Sequence, residues 1–284
     1  IHTIAHEYKA EQECDILDEE QWKKANPALG LFRSKNDLEQ QLSQASRLPA
    51  LEASARNLLL NQRVAQESLL LAPAIWKRNN GKINLDAFRN NPVAIGLDLS
   101  ARNDLTAAVA ASMDEDGIVH LLPWVFCPAD GIQERSRRDR APYDVWVKQG
   151  FMTALGGGSI EYKHVASFLR DTVDDVGIEV NYICFDRWRI DVFKNAAEEC
   201  NFAQWAEWLE CGQGFRDMSP RVEAFESLLL ENRIRHGNHP LLNLAASNAI
   251  AVSDPAGGRK IDKSRSTQRI DPLIAAVMAA FQVS

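Results

Sequence analysis

The sequence has no Cys-x-x-Cys pair. Its five cysteines (Cys14, Cys127, Cys184, Cys200 and Cys211) are scattered and odd in number. That set argues against a disulfide framework and against zinc, and reads as reduced thiols in a cytosolic protein. No apolar run approaches the ~20 residues that would span a bilayer, and there is no signal-peptide pattern. Positive charge is in short supply as well. Thirty-two Lys and Arg face 39 Asp and Glu, a net charge of −7, so no global basic character advertises nucleic-acid binding. A groove can still be locally basic, and metal-binding carboxylates themselves add negative charge. A G-x-x-x-x-G-K-[ST] loop is missing too: "GGGSIEYK" (156–163) lacks the Gly-Lys-Ser/Thr that cradles ATP phosphates.

What is present is a chain of 284 residues, 45% hydrophobic, enough to bury a substantial core. Residues 1–90 read as a helical lead-in. "DEEQWKKANPALG" (18–30) has early acids and ends at a Pro/Gly loop, and "SKNDLEQQLSQASRL" (34–48) opens on Ser34 as an N-cap. "ALEASARNLLLNQRV" (50–64) continues the helical period. The pattern changes at residue 91. "VAIGLDL" (93–99), "LTAAVAASM" (105–113) and "GIVHLLPWVF" (117–126) are strand-like runs with short polar turns, which predicts an antiparallel meander. "EYKHVASFLRDTVDDVG" (161–177) predicts an amphipathic helix leading into a fourth strand, "VNYICFD" (180–186). A helix at 190–201, a short strand near 204–209 and a helix at 220–234 follow, and "DPLIAAVMAAFQV" (271–283) closes the chain as a helix. Strands first, then alternating helices and strands, predict an α/β fold with a mixed sheet.

Asp98 and Asp186 each follow a run that reads as a central strand, where charge is rarely buried unless paired or metal-bound. Asp271 opens the last helix. Three such carboxylates at one sheet edge would suit Mg²⁺ or Mn²⁺, and two ions about 3.5–4 Å apart would support phosphodiester hydrolysis. Each acid also has a plainer reading. Asp98 caps a turn, Asp186 caps the next helix, and Asp271 is a first-turn acid. The repeated strand-end placement favours the metal.

The stretches "GLDLSARNDLTA" (96–107), "YICFDRWRIDVF" (182–193), "ECGQGFRDMSPRVEAFESLL" (210–229) and "KIDKSRSTQRIDPLIAAVMA" (260–279) resemble, in the same order, the C-terminal nuclease domain of tailed-bacteriophage large terminase subunits. The resemblance implies a ribonuclease-H-like α/β fold over 91–284, a mixed sheet flanked by helices. It also implies an acidic cluster of Asp98, Asp186 and Asp271 binding one or two Mg²⁺ or Mn²⁺ ions, and endonucleolytic cutting of concatemeric double-stranded DNA during genome packaging. Asp104 lies in a matched motif, where it either holds the hairpin turn or binds metal through water. The lead-in resembles the connection after that family's ATPase motor. With Ile1 in place of Met, it makes the chain an expected fragment without the motor and without an ATP site. The implied partners are the terminase small subunit and the portal, in the host bacterial cytoplasm, with no membrane.

Lys260, Lys263, Arg265 and Arg269 precede Asp271 and would hold DNA phosphates without reading sequence. Two other functions compete. One is a non-catalytic module that docks DNA or the portal through the lead-in and Arg135, Arg137, Arg138 and Arg140. The other is an actin-like or sugar-kinase-like phosphotransferase, disfavoured because "DLSARNDLTA" lacks the Gly-Thr phosphate turn. His236 and His239 ("HGNH") are expected to be surface histidines rather than zinc ligands. Trp188, Trp205 and Trp208 are expected in core or rim packing.

Overall fold

The structure is a computed structural model that describes residues 6–11, 14–47, 49–62, 68–99, 105–187, 190–254, 257–263, 266 and 269–284. It divides into two compact units, 1–68 and 69–284. In the first, α1 (Glu19–Ala25), α2 (Lys35–Arg47) and α3 (Pro49–Leu60) surround a small core of Trp22, Leu38, Leu42 and Leu60. Asp18 starts α1 by accepting the Glu20 N–H. The Trp22 indole donates to the Ile16 carbonyl, so its polar edge is satisfied inside that core.

The second unit follows β1 (Ser68–Leu69) at the junction. In order come α4 (Pro73–Arg78), α5 (Leu85–Asn90), β2 (Val93–Asp98), β3 (Thr106–Met113), β4 (Val119–Pro128), α6 (Ile132–Arg138), α7 (Tyr143–Lys148), β5 (Thr153–Leu155), α8 (Tyr162–Val176), β6 (Val180–Phe185), α9 (Ile190–Glu199), β7 (Glu207–Glu210), α10 (Phe215–Leu230), β8 (Ile234–Arg235), α11 (Pro240–Asn248), β9 (Ile250–Ser253), β10 (Arg259–Ile261) and α12 (Asp271–Val283). The compositional change at residue 91 and the packing division therefore differ. Helices α4 and α5 precede the strands, yet Trp76 and Phe88 are buried in this unit.

The main sheet runs β5-β4-β3-β2-β6-β7, with β8 also on β4. Strands β2, β3 and β4 form the expected antiparallel meander, β6 joins β2 in parallel, and β7 joins β6 in parallel. Parallel strands need crossovers: α8 leads into β6 and α9 joins β6 to β7, both on the same face of the sheet. Val93, Ile95 and Leu97 point to the face covered by α8 and α9. Alternation turns Ala94, Gly96 and Asp98 to the other face, which α10, α11 and α12 cover.

Small residues set the depth of α12. From Pro272 to Ala280 the helix is buried all round. It lies over a β3 whose facing residues include Ala107, Val109 and Ala111. Gly96 completes the fit: a Cβ there would sit 2.0 Å from the Ala275 carbonyl oxygen. Glycine in a strand interior costs stability, so its presence marks a close backbone approach.

Three local expectations change. Helix α10 starts at Phe215 rather than Pro220, because Met218 has core to fill, and Pro220 sits inside the helix. His236 is fully buried, its ring stacked on Trp76 at 4.1 Å with Nε2 on the Trp76 carbonyl, so it is not a surface histidine. Trp208 packs beside Phe185 and Phe193 as expected, whereas Trp205 is 94% exposed; Trp188 lies outside the described residues.

Candidate active site

Strand pairing puts the first two acids side by side. β2 and β6 run parallel with Leu97 opposite Phe185, so Asp98 and Asp186 are the next residues in register. Both take the parity of the α12 face, Asp98 with Gly96 and Asp186 with Cys184. Asp271 reaches the same place by another route. Ala275 meets Gly96, and four residues back along α12 is just over one turn, about 6 Å. Two residues on from Gly96 along β2, about 6.7 Å, is Asp98. The helix therefore runs antiparallel to the strand, and its N-terminus stands at the strand's C-terminal end.

Lys263 joins these ends. Its Nζ lies 2.7 Å from Asp98 Oδ1, 2.6 Å from Asp98 Oδ2 and 3.4 Å from Asp271 Oδ1. The Asp98 side chain is 3% exposed and that of Asp271 15%. Burial raises Asp98 against the pull of the Lys263 ammonium, and the charges of Asp271 and Asp186 add to the rise, to about 7. The ammonium itself is pulled down by burial but held above its ordinary value by the two acids. At Asp271 the positive end of α12 also favours negative charge.

The raised Asp98 has a signed consequence. The native protein keeps a proton that the unfolded chain releases near 3.8, so this carboxyl's contribution to stability declines as pH rises from there to about 7. An Asp98→Asn variant has no such proton to lose. Its thermal midpoint, measured in EDTA across that window, should gain on the wild type as pH rises; a constant difference would overturn the assignment.

Sequence reasoning overlooked Asp139, which organises the approach to Asp271. Arg138 donates to both its oxygens (2.7 and 3.0 Å), the Tyr143 hydroxyl donates at 3.2 Å, and Arg269 Nε lies 3.3 Å away. Burial works against this charge, and Arg138 and Arg269 outweigh it, holding the carboxyl below its usual range. Arg269 sits two residues before Asp271, so the pair fixes the entry to α12. Asp139→Asn should cost about 1–2 kcal/mol in urea unfolding, since the carboxylate is buried but both guanidinium groups are partly exposed and can turn to water. An unchanged midpoint would show that the pair carries no load.

The basic residues before Asp271 thus separate in the structure. Lys263 is engaged with the acids and Arg269 with Asp139, where the sequence suggested phosphate contacts. Lys260 lies over the Phe215 ring at 5.1 Å, and Arg265 and Asp104 lie outside the described residues. Among the described residues no three His, Cys, Asp or Glu side chains form a ready-made ligand set. The acids are held as a pair about an ammonium with Asp186 alongside. Those donors suit a hard divalent cation: all are carboxylate oxygens, and a positive group already stands between two of them.

A family model described as "Terminase large subunit, endonuclease domain" matches residues 4–284. The chain belongs to this family. The large terminase subunit of Enterobacteria phage HK97 is 42% identical over 278 residues, covering 98% of this chain and 54% of that protein. The crystal structure of the HK97 bacteriophage large terminase superposes with a TM-score of 0.70 at 41% identity, over 98% of this chain and 56% of that one. The large terminase subunit of Lactococcus phage SK1 is 22% identical over 273 residues, 96% of this chain and 50% of the relative. The chain spans about half the length of these relatives. Its mixed sheet with helices on both faces is the ribonuclease-H-like fold of terminase nuclease domains.

Proposed function

We propose that this chain is the DNA-cutting domain of a genome-packaging terminase, a metal-dependent endonuclease acting on concatemeric double-stranded DNA. The observation that carries the reading is the convergence of Asp98 and Asp186 on one sheet face with Asp271, which shares one ammonium with Asp98. Phosphodiester hydrolysis needs an activated water and relief of charge on the leaving 3′ oxygen, which is the chemistry bound Mg²⁺ or Mn²⁺ supplies. Asp98, Asp186 and Asp271 would hold one or two such ions. Asp98 and Asp186 project from neighbouring strand ends, and the N-terminus of α12 sets Asp271. Rigid elements therefore carry all three acids, as a site with tight distance tolerance requires.

The lead-in, residues 1–90, would join this domain to the packaging motor, with the small subunit and portal as partners of the whole protein. Lys260, whose ammonium lies over the Phe215 ring, would contact DNA phosphate.

Incubation with supercoiled plasmid in Mn²⁺, Mg²⁺ or EDTA, with Asp186→Asn as control, tests the reading. Metal-dependent nicking and linearisation that the control lacks are expected. Cleavage persisting in EDTA, or equal in the control, would overturn it.

A further inference from the structure

Asp98 is almost without solvent, and a carboxylate there needs a cation beside it. Lys263 meets that need directly. Its Nζ sits within 2.7 Å of both Asp98 oxygens and 3.4 Å from Asp271, the position a cation bridging the two acids would take. A divalent ion using the same oxygens at about 2.0–2.1 Å would meet that ammonium head-on. Two positive charges a few ångströms apart in so dry a place repel strongly.

The backbone that delivers Lys263 is well anchored. β10 ends two residues earlier and pairs antiparallel with β9. Arg259 Nη1 grips both oxygens of Glu226 on α10 at 2.7 Å. Lys263 therefore stays next to the acids whatever its side chain does. The side chain itself is 38% exposed and on a flexible four-carbon stem, so the ammonium can leave the acids without the backbone moving.

We propose that Lys263 is a tethered counter-ion: it holds the Asp98–Asp271 pair together in the metal-free protein and competes with the divalent ion for the same oxygens. The inference rests on the reading of these acids as metal ligands. It adds that metal affinity is set partly by a competitor built into the chain. Removing the ammonium should leave two buried acids facing each other, less stable alone and hungrier for metal. A lysine with a merely structural role would lower stability without tightening metal binding.

The test is calorimetric titration of Mn²⁺ into the wild-type chain, Lys263→Met, Lys263→Gln and Asp98→Asn, with no DNA present, beside thermal melts with and without Mn²⁺. The neutral variants should bind Mn²⁺ about tenfold tighter or more, because the competing charge is gone. They should also melt lower than wild type in EDTA and gain more from Mn²⁺. Lys263→Gln keeps a polar tip for the acids should Lys263→Met not be recovered folded. Affinity equal to or weaker than wild type in a folded neutral variant would overturn the counter-ion role. Mn²⁺ binding that is absent from the wild type, or unaltered by Asp98→Asn, would instead remove the metal-site reading beneath it.

Discussion

Asp98→Asn and Asp271→Asn are each expected to lower metal-dependent plasmid cleavage by at least about 10²–10³-fold, the scale of losing one group that stabilises transition-state charge. The geometry explains why so small a change should cost so much. Asn keeps the volume of Asp but not its charge. At Asp98 the lost charge lies on the residue that both Lys263 and the neighbouring Asp186 face. Folding should survive, because Lys263 is partly exposed and can turn to water, and a neutral amide is cheaper to bury than a carboxylate. The double variant should be hardly worse than either single one, since the acids act as one unit. Cleavage rates beside thermal midpoints distinguish the cases. A folded Asn variant with full activity would remove that residue from the mechanism.

Gly96→Ala is expected to do the reverse, damaging the fold first and the chemistry through it. Gly to Ala commonly stabilises a chain by about 0.4–1 kcal/mol where the backbone permits it, by restricting the unfolded state. Here the new methyl carbon would stand 2.0 Å from the Ala275 carbonyl oxygen and 2.8 Å from its carbon. The obstacle is helix backbone, which cannot rotate aside as a side chain can. Either α12 moves away from β2, opening the core along its length, or β2 bends. Overpacking usually costs about 1–3 kcal/mol, and this case belongs at or above the top of that range. For a unit of this size that corresponds to a fall of roughly 10 °C in thermal midpoint. Because Asp271 heads the displaced helix, any folded Gly96→Ala protein should also cleave poorly. An unchanged midpoint with normal cleavage would show that the contact is not what sets the helix.

Much of this architecture was legible in the residues. The runs at 93–99 and 105–113 became central strands because apolar residues fill them on both faces, and the run at 180–186 did so with Val180, Ile183, Cys184 and Phe185 buried. The last helix was legible from its apolar length, and Asp271 from its position ahead of Pro272. The short strands Thr153–Leu155, Ile234–Arg235 and Arg259–Ile261 left no pattern to read. Two or three residues carry no period, and it is the neighbour across the sheet that makes them strands. Gly96 offered a signal in the sequence, a glycine inside an apolar strand, though nothing there said which backbone it admits.

The sequence by itself determined that Asp98 and Asp186 end strands and that Asp271 begins a helix, because local periodicity and capping chemistry fix such placements. Only the tertiary structure decided that these ends meet. Parallel register between β2 and β6 aligns the first two acids, and a missing side chain at Gly96 lets α12 bring the third. It also decided the parts of Lys263 and Arg269. A run of positive charge reads as solvent-facing until folding reveals the buried carboxylates, Asp98 and Asp139, that require it.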